Sequence, residues 1–150
     1  MKRFISYLLS FCLSISMVFC VSEAGAVFLL ISPGAAAQGL GEAQVASAND
    51  AYTSYFNPAG LSYIKGDEVV LQHCNWLPNL ASDIYFDFIG FNKHIGLGTL
   101  GGHLIYLNLG AQDQTNEEGL ILGQFRSYMT ALTLGYSTTL KPHSSIGFNF

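Results

Sequence analysis

From Tyr128 the chain alternates with a period of two. Tyr128, Thr130, Leu132, Leu134 and Tyr136 fall on one face of an extended segment, and Met129, Ala131, Thr133, Gly135 and Ser137 on the other. One face is oily and edged by tyrosine; the other is small or polar. This pattern constrains the fold more than any other feature, because a helix would scatter the same residues around its axis. Ile146, Phe148 and Phe150 alternate with Gly147 and Asn149 in the same way. Three earlier segments, about 68–76, 83–92 and 96–109, also read as strands, which with 128–140 and 145–150 makes five. Strands of about ten residues with aromatic ends are the signature of a transmembrane antiparallel β-barrel. A secreted soluble β-sandwich of structural or adhesive use shares the alternation. Half the residues are hydrophobic and only 11% are charged, which weighs against it.

The connections are unequal. A short turn around Lys93-His94 joins the second and third strands, whereas a polar stretch from Ala111 to Gln124 separates the third and fourth and reads as a long loop. Barrels carry short turns on the periplasmic side and long loops outside.

The amino-terminal part has a different character. Met1-Lys2-Arg3 is a basic start, Phe4 to Val21 is an apolar run, and small residues follow at Ser22, Ala24 and Gly25. Residues 1–22 therefore read as a secretory signal peptide cleaved near Ser22 or Ala24. An uncleaved transmembrane helix is the rival, since about 18 apolar residues approach the length that spans a bilayer. A lipoprotein signal is discounted, because Cys12 and Cys20 follow the bulky Phe11 and Phe19. Without the leader Cys74 is the sole cysteine, so no internal disulfide can form. Loss of Lys2 and Arg3 leaves acidic residues in clear excess, which disfavours nucleic-acid binding.

Residues 23–66 read as a compact plug before the sheet. Phe28 to Ile31 is an apolar run, either a short strand or an anchor, that ends at Ser32-Pro33-Gly34. Ala35 to Gly41 has little side-chain bulk, and Ala43 to Ala48 can be helical. Asn49 to Gly60 has the punctuation of two short helices. Asn49 or Asp50 caps the first, through Phe56, and Asn57 caps a second that begins at Pro58. The candidate site residues, structural rather than catalytic, are Asp50, Asn57, Pro58, Ala59 and Gly60.

Several of these blocks occur together in a known family. Gly25 to Ile31, Pro33-Gly34-Ala35 with Gly39-Leu40-Gly41, and Ala48-Asn49-Asp50-Ala51 leading to Tyr55-Phe56-Asn57-Pro58-Ala59-Gly60-Leu61 resemble the start of the PorV/PorQ family. The resemblance runs from about Gly25 to Leu109, and its most specific block ends in Asn-Pro-Ala-Gly. It implies an outer-membrane β-barrel similar in fold to the long-chain fatty-acid channel FadL. It also implies association with type IX secretion, with secreted protein cargo as a partner or, alternatively, a hydrophobic small molecule that passes through a channel. Outer-membrane lipid is the implied surroundings. Relatives often carry an arginine where this chain has Ala36; if that arginine pairs with an acidic residue of the barrel wall in relatives, the pairing is absent here and the plug is expected to be held mainly by packing. A FadL-like barrel has roughly 14 strands, and the smallest barrels about eight. Residues 67–150 are therefore expected to form the first strands of an incomplete barrel, the chain being the amino-terminal part of a longer protein. Several copies contributing to one barrel is the alternative.

Catalytic and cofactor patterns are weak. Gly96-Leu97-Gly98-Thr99-Leu100-Gly101 matches Gly-x-Gly-x-x-Gly but lacks the strand, helix and later acidic residue that give the pattern its mechanism. Room for strand bending or for the plug is the better account of these glycines. His73 and Cys74, adjacent on a strand, point to opposite faces and cannot jointly hold a metal. Asp83 and Asp87 share a face and are expected to be structural or selectivity groups in the lumen. Serine and histidine positions suggest no nucleophile with its base. Trp76 reads as an interfacial aromatic at a strand end.

Overall fold

β-branched and aromatic residues at alternate positions favour extended backbone, and the turn-forming residues between them let each strand fold back on the last. A computed structural model describes residues 26–47, 50–79 and 81–150. The expected leader and Asn49 lie outside the described residues. The strands are β1 (Glu68–Asn75), β2 (Ile84–His94), β3 (Thr99–Thr115), β4 (Ile121–Lys141) and β5 (Ser144–Asn149). They form one antiparallel meander in the order β1-β2-β3-β4-β5. Ahead of them run a 3-10 turn (Val27–Leu30), α1 (Ala35–Gly39), α2 (Thr53–Phe56) and a second 3-10 turn (Pro58–Tyr63). The Phe28 run is thus a helical turn with Phe28 buried, not a strand.

Register fixes the faces. Phe86 pairs with Cys74 and Leu107, and Phe88 with Gln72 and Ile105, which puts these residues on one side of the sheet. There Phe28, Phe86, Phe88, Ile105 and Leu107 form the core, with Ile31, Tyr52, Tyr55, Val70, Leu109 and Ala131 packed on it. The other side exposes Val69, Leu71, Ile89, Leu104, Leu132, Leu134, Ile146 and Phe148. Tyr85, Tyr106 and Tyr128 form a row on this outer side, with ring centroids 6.0 and 5.7 Å apart. Tyr136, at the other end of the oily stretch of β4, lies beside Phe148. Tyr128 and Tyr136 are about 27 Å apart along the strand. At the tilt usual in barrels that is roughly 20 Å of height, close to the aromatic-edged band of an outer-membrane protein.

Two expectations are corrected. The polar stretch from Ala111 to Gln124 is not a loop, since β3 and β4 continue through it with Gln112 opposite Phe125 and Gln114 opposite Gly123. Only a tight turn remains. Polar residues there hide the alternation, because a ribbon that projects past the oily band is wet on both sides. Asp87 is not in the lumen either. It shares the outer face with Tyr85, Ile89 and Phe91, and its Oδ1 lies 2.6 Å from His73 Nδ1. Asp83 precedes β2 and accepts the N–H of Ala111 at 2.8 Å, so it clamps a strand end.

β1 and β5 each have one neighbour, which leaves two open edges. An open edge has no place in lipid, because its amides find no partners there. The sheet is consistent with part of a barrel wall; a soluble sandwich would need a second sheet, and the described strands form one. Among the described residues no helix is long and apolar enough to cross a membrane.

Leu134→Arg puts a cation on the lipid face and should weaken membrane insertion by about 2 to 4 kcal/mol. Insertion of the full protein into lipid vesicles, read by its heat-modifiable mobility on gels, checks this. Normal insertion would mean that the outer face is misassigned.

Candidate functional site

The amino-terminal segment covers the inner face of the sheet, and local sequence explains how it is shaped. Asp50 Oδ1 accepts the N–H of Tyr52 at 3.0 Å, opening the turn that leads into α2. Burial raises the Asp50 pKa above the usual carboxylate range, and the Tyr52 N–H partly offsets the rise. Asn57 is extended at the end of α2, and its Oδ1 accepts the N–H of Ala59 at 3.2 Å. Its Nδ2 donates to Val45 O at 3.0 Å. Pro58 then starts the second 3-10 turn with its φ already set.

Ala59 is where this segment meets β4 and β5. Its carbonyl accepts hydroxyls from Ser62 at 3.0 Å, Ser137 at 2.9 Å and Ser145 at 2.8 Å. The Ser62 and Ser137 oxygens are themselves 2.8 Å apart. Gly147, across from Ser137, makes the approach possible: a Cβ there would lie 2.5 Å from Ala59 N and Pro58 C. Asn149, next on the inner face of β5, donates from Nδ2 to Ser54 O at 2.8 Å. Leu61, fully buried, sits over Gly101, where a Cβ would meet its methyl groups at 2.7 Å. Gly101, the last glycine of the Gly-x-Gly-x-x-Gly pattern, therefore makes room for the segment.

A second patch binds the segment to β2 and β3. Tyr52 stacks on Phe88 at 5.2 Å, and Phe88 stacks on His103 at 5.3 Å. Ser54, with no exposed surface, lies 3.0 Å from His103 Nδ1 and donates to Ala51 O at 3.1 Å. Sequence gave no hint of this serine–histidine contact, whose partners are 49 residues apart. Among the described residues no carboxylate hydrogen-bonds to His103, and the pair is buried, so it lacks the orienting acid and the access that a nucleophile needs. It fastens two elements. The exit to β1 is tied as well: Asn92 donates to Gly66 O at 2.8 Å, and His94 donates from Nε2 to Ile64 O at 2.7 Å. Thr99 Oγ1 completes the imidazole at 2.7 Å from Nδ1.

The cover is looser toward β1. Gln72 Oε1 accepts the N–H of Gly34 at 2.8 Å. Beside it opens a cleft of about 410 Å³, bordered by Ile31, Tyr52, Gln72, Cys74, Trp76 and Phe86. Ala36 is exposed and bonds nothing in the wall. Cys74 is free, and His73 points to the opposite face. Among the described residues no cluster of histidine, cysteine or carboxylate groups could hold a metal ion.

A meander with an oily, tyrosine-edged outside and an inside covered by the chain's own amino-terminal segment is consistent with part of the wall of an outer-membrane β-barrel. The family model described as type IX secretion system protein PorV matches residues 19–141, and the chain belongs to that family. No curated protein matches the chain, and no solved structure does.

Gly147→Val should displace Pro58 and Ala59 from β5, because the clash is with backbone and cannot be relieved by a rotamer change. Ser137→Ala with Ser145→Ala removes two hydrogen bonds to Ala59 and should weaken docking by about 1 to 3 kcal/mol. Limited proteolysis between residues 41 and 47 should become faster in both, with heat-modifiable mobility unchanged. Unchanged proteolysis would show that these contacts do not hold the segment.

Proposed function

We propose that the protein is a component of the type IX secretion apparatus in the outer membrane, where it holds or hands on secreted protein cargo. Residues 23–66 are its plug, residues 67–150 are the first strands of its barrel, and an amino-terminal signal sequence directs export. The observation that carries this reading is the filled inner face: Ala59, Ser54, Leu61, Tyr52 and Phe28 are all fastened to the wall. A barrel lined this way suits a scaffold that presents surfaces better than an open conduit. Family membership supports the same reading.

The connections suggest the orientation. The β2–β3 turn and the two-residue β4–β5 turn lie at one end of the sheet, and the long β3–β4 hairpin projects from the other. Short turns then face the periplasm, and the hairpin faces outward.

One observation favours a second reading, a FadL-like channel for hydrophobic small molecules. The cleft toward β1 has Ile31, Tyr52, Trp76 and Phe86 in its lining beside the polar Gln38 and Gln72, and a modest movement of α1 would enlarge it.

Deletion of the gene separates the two. Loss of export of type IX cargo, with uptake of a long-chain fatty acid unchanged, is the expected outcome. Intact export together with lost uptake would replace the secretion reading with the channel.

A further inference from the structure

The oily face of β4 does not stop at Tyr136. Tyr128 and Tyr136 bracket roughly 20 Å of height, whereas an outer-membrane barrel presents an apolar band about 25 Å tall. The difference corresponds to about two residues of tilted strand, which carries the lower edge of the band down to Thr138. Thr138 pairs with Ile146 on the outer face. Just past them come the β2–β3 and β4–β5 turns, where Ile95, Leu97 and Leu140 are 44, 85 and 65% exposed.

The β2–β3 turn is folded against this edge. Ile95 N–H donates to Gly98 O at 2.9 Å and closes the turn, with Gly96 at φ +79°. Leu97 O accepts hydroxyls from Tyr136 at 2.9 Å and from Thr138 at 3.0 Å. Gly98 leaves room for this approach, since a Cβ there would lie 2.7 Å from Tyr136 Oη. Two hydroxyls of the outer face are thus bonded to turn backbone. In water each of these groups would find a hydrogen bond without the other; where water is scarce each must find it within the protein. Tyr136 is satisfied internally, and the wet boundary lies beyond it.

Charge agrees with this placement. Of the four described lysines and arginines, Lys65, Lys93 and Lys141 stand at the turn end of the sheet, beside Asp67 and Glu68. Arg126 is at the other end, where Asp113, Glu117 and Glu118 outnumber it. Lysine on a flexible stem reaches phosphate headgroups while its methylenes stay at the apolar level.

We infer that the β2–β3 turn, with Leu97 at its apex, is embedded in the headgroup–acyl boundary of the phospholipid and seats this end of the wall in the bilayer. The inference rests on the reading of the sheet as membrane wall, and its assignment to the periplasmic leaflet rests on the orientation proposed above.

Depth-dependent quenching tests it. In the full protein with its native cysteines replaced by serine, Leu97→Cys carries a nitrobenzoxadiazole label in vesicles of phosphatidylethanolamine and phosphatidylglycerol. Leu104→Cys marks the lipid face and Glu118→Cys the water, and heat-modifiable mobility selects folded protein. Position 97 should be quenched by lipid spin-labelled near the headgroup, as expected of an anchor about 5 to 10 Å into the boundary. It should also be protected from iodide present on both sides of the membrane, with emission shifted to the blue of position 118. Protection from iodide and spin-labelled lipid alike, as beneath a second copy, would overturn the inference. Iodide quenching at 97 equal to that at 118, with lipid quenching kept at 104, would sink the embedded turn and leave the membrane wall standing. Loss of lipid quenching at 104 as well would sink both.

Discussion

A backbone in lipid must meet all its hydrogen bonds within protein, and everything else in this chain follows from that requirement. It forces strands to pair in long ladders, and it leaves only side chains to distinguish inside from outside. Outside, leucine, isoleucine and phenylalanine face an apolar medium, with tyrosines where that medium ends. Inside, the wall is lined with small residues, hydroxyls, a few aromatics and aliphatics such as Ile105 and Leu107, which the amino-terminal segment covers. That cover is held by apolar packing of Phe28 and Tyr52 on Phe86 and Phe88 and by polar contacts to backbone, at Ala59 O and Ser54 O above all. These contacts are direct because glycine on the facing strands lets main chain approach main chain.

Legibility in the sequence followed contrast. β4 alternates between oily and small residues, so its faces could be read without a partner strand. In β2 both faces carry aromatics, Phe86 and Phe88 inward, Tyr85 and Phe91 outward. Nothing local says which parity is inside, so the face of Asp87 is not legible from β2 alone. Only register against β1 and β3 decides it. The β3–β4 extension was hidden by the opposite problem: a wet ribbon needs no hydrophobic face, so the ladder leaves no periodic trace.

The candidate site divides in the same way. Asn57 and Pro58 carry a local signal, a cap and a fixed φ, and the helical start they imply is present. What they rest on is distant. Ser137, Ser145, Gly147 and Asn149 lie more than 75 residues downstream, and their side chains are ordinary for the inner face of a barrel strand. The Ser54–His103 contact is equally silent, because neither residue is unusual where it stands. Short-range chemistry was written in the sequence; the fit between distant surfaces was not.

The distance between Ala59 and Ser145 bears on the order of events in folding. The amino-terminal segment emerges first, yet its seat is completed by the last described strand, 86 residues later in the chain. Closing so large a loop costs entropy before any contact repays it. Strand pairing from β1 to β5 is sequential and local by comparison. The contacts of Ala59 must therefore wait while the wall assembles, and their formation reports that β4 and β5 are in place. The seat of Ala59 on the inner face of the sheet is thus also a late checkpoint on the sheet's own construction.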